Sequence, residues 1–312
     1  MKNVDKDLLT RIEGLLKSYK RFVKDAEGSA EEEKLVYGLR GLVNLANMIL
    51  RDQPIFGIEP WHVLHHDVTL AQPGEMLLRL KDYKGNPMPP YPFVMAFYDY
   101  GFTAELDAIL TLAALRQFED DPLEKQVSIN VSGRSLRDPN FVKIVLARLD
   151  AMDLFSRPDE CVVFEIHESC HNLAMSRQVL QLFRSVGCLF ALDDVGLTMN
   201  DVMRVSEFEG LADFVKIDRH NVCAPDHAPN SLENVMSMIE TVLPDAVFVA
   251  EGVQSIDHAI EICRKYPAIA YAQGLYLPED RKSFQVDFYN RNLIAGGAAV
   301  YSQAQSGAAA LY

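Results

Sequence analysis

From residue 56 to about residue 290 the chain alternates short apolar runs with amphipathic stretches, and this rhythm limits the folds open to it. The runs are WHVLHHDV (61–68), GEMLLRL (74–80), VSINVS (127–132), CVVFEIHE (161–168), CLFALDDV (188–195), DFVKID (213–218), AVFVAEGV (246–253) and IAYAQGLYL (269–277). Apolar residues recur at helical spacing between them, over 103–118, 140–152, 175–186, 231–243 and 256–266. Strands that alternate with helical crossovers build parallel sheets, and eight such repeats predict a (β/α)8 barrel, a fold of roughly 250 residues. Only the first link breaks the pattern. Five residues, 69–73, separate the first two runs, too few for a parallel crossover, so the first strand is expected to be antiparallel.

The second constraint is where the polar residues fall. The run CLFALDDVG reads as a strand buried on both faces that stops on Asp193 and Asp194. Two adjacent acids there fit either a metal site or a solvated acidic turn. The other strands favour the metal, because most of them also carry polar groups: Glu75 and Arg79, then Asn130, Glu165, Lys216, Glu251 and Gln273. Polar groups set into apolar strands are costly unless paired or coordinated. In a barrel they would gather at one mouth, the face where barrel enzymes do chemistry. Five carboxylates and an amide are all oxygen donors, which suits Mg²⁺ or Mn²⁺ better than zinc. Two such ions close together are a usual device for splitting a phosphodiester, and Lys216 would orient or help deprotonate the attacking water.

Charge and composition bound the rest. A formal net charge of −14 argues against a nucleic acid polymer or an anionic membrane surface as partner. An anionic substrate would need bound cations. No stretch has the length of a membrane span, the first residues lack the apolar core of a secretion signal, and a cytoplasmic location is expected. Five cysteines without a CxxC pair fit reduced thiols rather than a disulfide framework. Residues 1–55 read as a helical hairpin broken at Gly28-Ser29, its apolar stripe free to pack on the barrel of residues 56–290, on a second subunit or on a regulatory protein. Residues 291–312 turn into a low-complexity Gly/Ala/Ser tail.

In their order these residues resemble the EAL domain, a phosphodiesterase of the bacterial second messenger cyclic di-GMP, over roughly residues 61–278. The naming motif reads Glu75-Met76-Leu77 and the asparagine motif INVS with Asn130. They are followed by FEIHES with Glu165 and Glu168, DDVG with Asp193 and Asp194, and Lys216-Ile217-Asp218. AEGV with Glu251 and AQG with Gln273 complete the set. The resemblance implies a barrel with an antiparallel first strand and hydrolysis of cyclic di-GMP to linear pGpG. It further implies one ion on Glu75, Asn130, Glu165 and Asp193, and a second approached by Asp193, Asp194 and Glu251. Arg79 would then meet a phosphate, Gln273 a water or ligand group, and Glu168 would anchor the loop after residues 188–195. The family pairs near that loop, so a homodimer is expected.

The same loop departs from the family pattern. DDFGTGYSS is usual, and this chain has DDVGLTMND, with Val195 for the phenylalanine, Thr198 for the second glycine and Asn200-Asp201 for the serine pair. The ligands are kept while the loop is not, so slow turnover is expected, and a receptor that binds cyclic di-GMP without cutting it is the alternative. His167-Glu168-Ser169-Cys170-His171 also spells HExxH, but that zinc pattern belongs on a helix and here follows a β-type run. Asp99, Glu105 and Asp107 either border a nucleotide pocket or start the helix near residue 103.

Overall fold

The computed structural model describes residues 6–65, 71–121, 124–167, 177–196, 199–223 and 231–292. Two helices, α1 (Lys6–Asp25) and α2 (Glu32–Leu50), precede strands β1 (Phe56–Pro60), β2 (His62–Val63) and β3 (Gly74–Leu78). Next come α3 (Pro90–Tyr98), α4 (Thr103–Asp120), β4 (Gln126–Val131), α5 (Pro139–Met152), β5 (Cys161–Ile166), α6 (Arg177–Arg184) and β6 (Cys188–Val195). After these come α7 (Met199–Glu207), β7 (Phe214–Ile217), α8 (Arg219–Cys223), α9 (Leu232–Val242), β8 (Val247–Ala250), α10 (Ile256–Lys265) and β9 (Ile269–Ala272), and residues 281–292 are again helical.

The chain divides into two compact units, residues 1–58 with 73–191, and residues 59–72 with 192–312. β6 begins in the first and ends in the second. In the first unit the strand order is β1-β3-β4-β5-β6, with the β3–β4 and β4–β5 pairs parallel. In the second it is β6-β7-β8-β9-β2, where β7–β8 and β8–β9 are parallel and β2 runs antiparallel to β9.

The antiparallel strand expected at the start is therefore β2, paired with β9 rather than with β3. The strand beside β3 is β1, which the sequence pattern hid. Its five residues, FGIEP, begin two positions after Pro54, end on Pro60 and carry neither alternation nor a long apolar run.

Helix boundaries follow local chemistry. α5 starts at Pro139, whose missing N–H costs nothing in a first turn, and Asp138 caps it by accepting from the Asn140 and Phe141 amides, both at 2.9 Å. Ser231 and Ser255 cap α9 and α10 in the same way. All six residues of β5 are buried, as a central parallel strand requires.

Within the first unit the N-terminal hairpin packs on α3. Tyr19 of α1 is fully buried, stacks on Phe97 at 4.2 Å and donates its hydroxyl to the Ala96 carbonyl at 2.9 Å. α2 approaches so closely that a Cβ at Gly41 would lie 2.2 Å from the Phe93 ring, and one at Gly38 would lie 2.6 Å from the Tyr19 hydroxyl. Lys34 pairs with Asp99, and Tyr100 donates to Glu31 at 2.6 Å, so the rim of this contact is polar.

Candidate functional site

In the first unit, strand register gathers three of the expected residues. Asn130 of β4 stands opposite Glu165 of β5, and Glu75 of β3 stands opposite Ser128. Side chains two apart on a strand share a face, so Glu75, Ser128, Asn130 and Glu165 all project to one side. Glu165 is fully buried and Glu75 nearly so. Asn130 donates from Nδ2 to Glu75 Oε1 at 2.6 Å. Its own Oδ1 is buried and accepts no hydrogen bond among the described residues. A buried amide oxygen in that condition carries a desolvation cost that a cation beside it would remove.

Behind these strands, Asp107 of α4 fixes the loop that follows Asn130. It accepts from the Ser132 amide at 3.0 Å, the Ser135 hydroxyl at 2.6 Å and the Tyr98 hydroxyl at 2.6 Å. Burial pushes its carboxyl above the usual range, against the pull of these donors. Asp107 thus braces the β4 loop, while Asp99 is taken up by Lys34.

In the second unit, Lys216 of β7 is buried between two carboxylates, Asp193 Oδ1 at 3.0 Å and Glu251 Oε1 at 2.7 Å. Its register partner on β8 is Val249, two residues before Glu251, which puts Lys216 and Glu251 on the same face. Glu251 lies just past the end of β8, held by its amide donating to the Ile217 carbonyl at 3.2 Å. Asp194, the last residue but one of β6, has φ 52°, in the left-handed region that aspartate tolerates better than most residues. Gln273, one residue past β9, donates to Glu59 Oε1 at 3.2 Å. Glu59 went unnoticed in the sequence for the reason β1 did.

Arg79 lies just beyond β3, exposed, with its stem over Gly57. Glu168, His171 and Thr198 lie outside the described residues. Each group therefore consists of acids and an amide, most of them close to the C-terminal ends of parallel strands, with Glu75 near the start of β3 and Lys216 the cation seated among the acids of the second. Oxygen-only donors of this kind fit a hard divalent cation.

The EAL domain family profile matches residues 45–279. A relative from Borreliella burgdorferi, cyclic di-GMP phosphodiesterase PdeA, is 31% identical over 127 residues, which make up 39% of this chain and 18% of that protein. The chain thus matches about a fifth of that relative's length. Among solved structures, the FimX EAL domain from Pseudomonas aeruginosa bound to c-di-GMP superposes with a TM-score of 0.61 at 20% identity, over 77% of this chain and 98% of that one. The PaMucR phosphodiesterase in complex with c-di-GMP gives 0.56 at 18% identity, over 75% and 94% of the two chains. These superpositions show that the chain has the fold of an EAL domain. With a profile match over most of its length and that fold, the chain belongs to the EAL domain family.

Proposed function

We propose that the chain is a cytoplasmic, divalent-cation-dependent phosphodiesterase that hydrolyses cyclic di-GMP to linear pGpG, slowly, and works as a homodimer. The observation that carries this reading is the buried Oδ1 of Asn130, without a donor among the described residues, on the same strand face as Glu75 and Glu165. Mg²⁺ or Mn²⁺ would be held by Glu75, Asn130 and Glu165 and by Asp193, Asp194 and Glu251. When bound, such ions acidify water and neutralise charge on the phosphodiester.

The chain's own residues supply the rest. Lys216, fixed by Asp193 and Glu251, presents its ammonium to the attacking water and to the charge that develops on the phosphate. Glu251 accepts the water's proton. Arg79 pairs with a phosphate oxygen, and Gln273 orients the water or the base through its amide. The water oxygen bonds to phosphorus, one ester P–O bond breaks, and the departing sugar oxygen takes up a proton.

The altered loop DDVGLTMND makes turnover slow, since a misplacement of about 1 Å can cost on the order of a hundredfold in rate. Incubating the purified protein with cyclic di-GMP and Mn²⁺, then separating the products by chromatography, tests the reading. Linear product is expected. Tight binding with no product after hours would instead make the chain a receptor. Light scattering at tens of micromolar protein tests the dimer.

A further inference from the structure

The turn bearing Asp193 and Asp194 is gripped from one side by two residues that the proposed reaction does not use. Arg204 of α7 donates from Nη2 to the Asp193 carbonyl at 2.6 Å. Three residues earlier, Asp201 accepts the Gly196 amide at 3.3 Å and pairs with Arg204 at 3.4 Å. Asp201 is 1% exposed and Arg204 6%. Their two backbone bonds fall on either side of Asp194, the residue held at φ 52°. Gly196 closes the bracket, because a Cβ there would lie 2.8 Å from Asn221 Oδ1.

Burying a charged pair is costly, and a pair that spends its hydrogen bonds on the backbone at both ends of one turn fixes that turn's shape. Carboxylates with nearly free rotors bind a cation weakly, whereas those on a fixed backbone bind it well. The chain carries Asp201 where the family pattern has serine, so the arrangement is this chain's own.

We infer that Asp201 and Arg204 are positioning residues that hold the Asp193-Asp194 turn in the shape required to take up a divalent cation. This rests on the function proposed above. The geometry explains how the acids stay placed although positions 198, 200 and 201 have lost the family's glycine and serines.

Two measurements on the full chain test it: hydrogen exchange by mass spectrometry over residues 193–196, and Mn²⁺ titration followed by electron paramagnetic resonance. Arg204→Met is expected to speed exchange in that segment and to weaken Mn²⁺ binding by about 10- to 100-fold. Arg204→Lys, which can still donate to the Asp193 carbonyl, should recover most of both. Asp201→Asn should give an intermediate loss, and these two gentler variants decide the matter if Arg204→Met does not fold. A folded Arg204→Met with unchanged exchange and unchanged Mn²⁺ affinity overturns the inference. If the unmodified protein takes up no Mn²⁺, the phosphodiesterase reading falls, while the exchange data still decide whether the pair holds the turn.

Discussion

At the scale of single residues, the charge on Lys216 is tolerable only because Asp193 and Glu251 flank it. Replacing it with methionine keeps its volume and leaves two carboxylates facing the gap. Stability should fall by roughly 3 kcal/mol, read by urea denaturation without added metal, because breaking a buried pair leaves charge uncompensated. Hydrolysis by Lys216→Met and by Glu75→Ala should drop below detection while linear product from the unmodified protein remains measurable. A second residue makes folding depend on pH. His62 stacks on Phe284 at 4.2 Å, and burial, helped by the charge of Arg281, lowers its pKa to about 4, the Pro278 carbonyl and Asp280 opposing. The unfolded chain binds a proton near pH 6.5 and the folded chain resists it, so stability falls with pH from about 6.5 to about 4. The full loss is roughly 3 kcal/mol. His62→Phe should flatten that slope in denaturation curves taken at several pH values, and an unchanged slope would assign it to other groups. The acids and Lys216 could be read from sequence because a charged group in an apolar strand is conspicuous. Glu59, Asp201, Arg204 and His62 could not, since their importance lies in partners far along the chain or in burial that no local pattern announces.

At the scale of elements, the seam between α2 and α3 depends on glycine as a close-packing residue. Gly41→Ala puts a methyl group 2.2 Å from the Phe93 ring, which is fully buried and has nowhere to go. Overpacking of this kind costs about 1–3 kcal/mol, more than the roughly 1 kcal/mol that alanine gains over glycine in a helix. Gly14 on α1 is the control: nothing lies within 4 Å of a Cβ there, so Gly14→Ala should stabilise by up to about 1 kcal/mol. Opposite shifts in thermal midpoint are expected, and a stabilised Gly41→Ala would mean the seam is looser than described. The βα rhythm was legible wherever a strand carried a long apolar run, as in Cys161–Ile166 and Cys188–Val195, and at both N-terminal helices. It failed at α3, whose PPYPF start looks like a loop because proline in a first turn and proline in a loop are locally alike. It failed again at β1, whose five residues FGIEP form no long apolar run, while β2 fell inside the expected run 61–68 and only its partner, β9, about two hundred positions away, was hidden.

At the scale of the whole molecule, the question is whether residues 1–50 are an attachment or part of the folded body. Leu8, Ile12 and Tyr19 of α1 and Leu42 and Leu45 of α2 are buried to 1% exposure or less. Across the seam, Phe93 and Phe97 of α3 are equally buried. A chain starting at residue 51 would keep those two phenylalanines and lose what covers them. Exposing two such rings costs about 3–6 kcal/mol, a large share of the 5–15 kcal/mol that usually separates folded from unfolded. For a chain of this size each kcal/mol moves the thermal midpoint by roughly 2–4 °C, so truncation should lower it by about 10–20 °C or leave the protein insoluble. A hairpin that served only to meet another protein would leave the midpoint within about 3 °C of the full chain, since no ring would then have lost its cover. Calorimetry on the two chains separates these outcomes. A large drop would also make the hairpin a route of control: anything that pried α1 and α2 away would loosen α3 and with it Tyr98, one of the donors to Asp107 that brace the loop after Asn130.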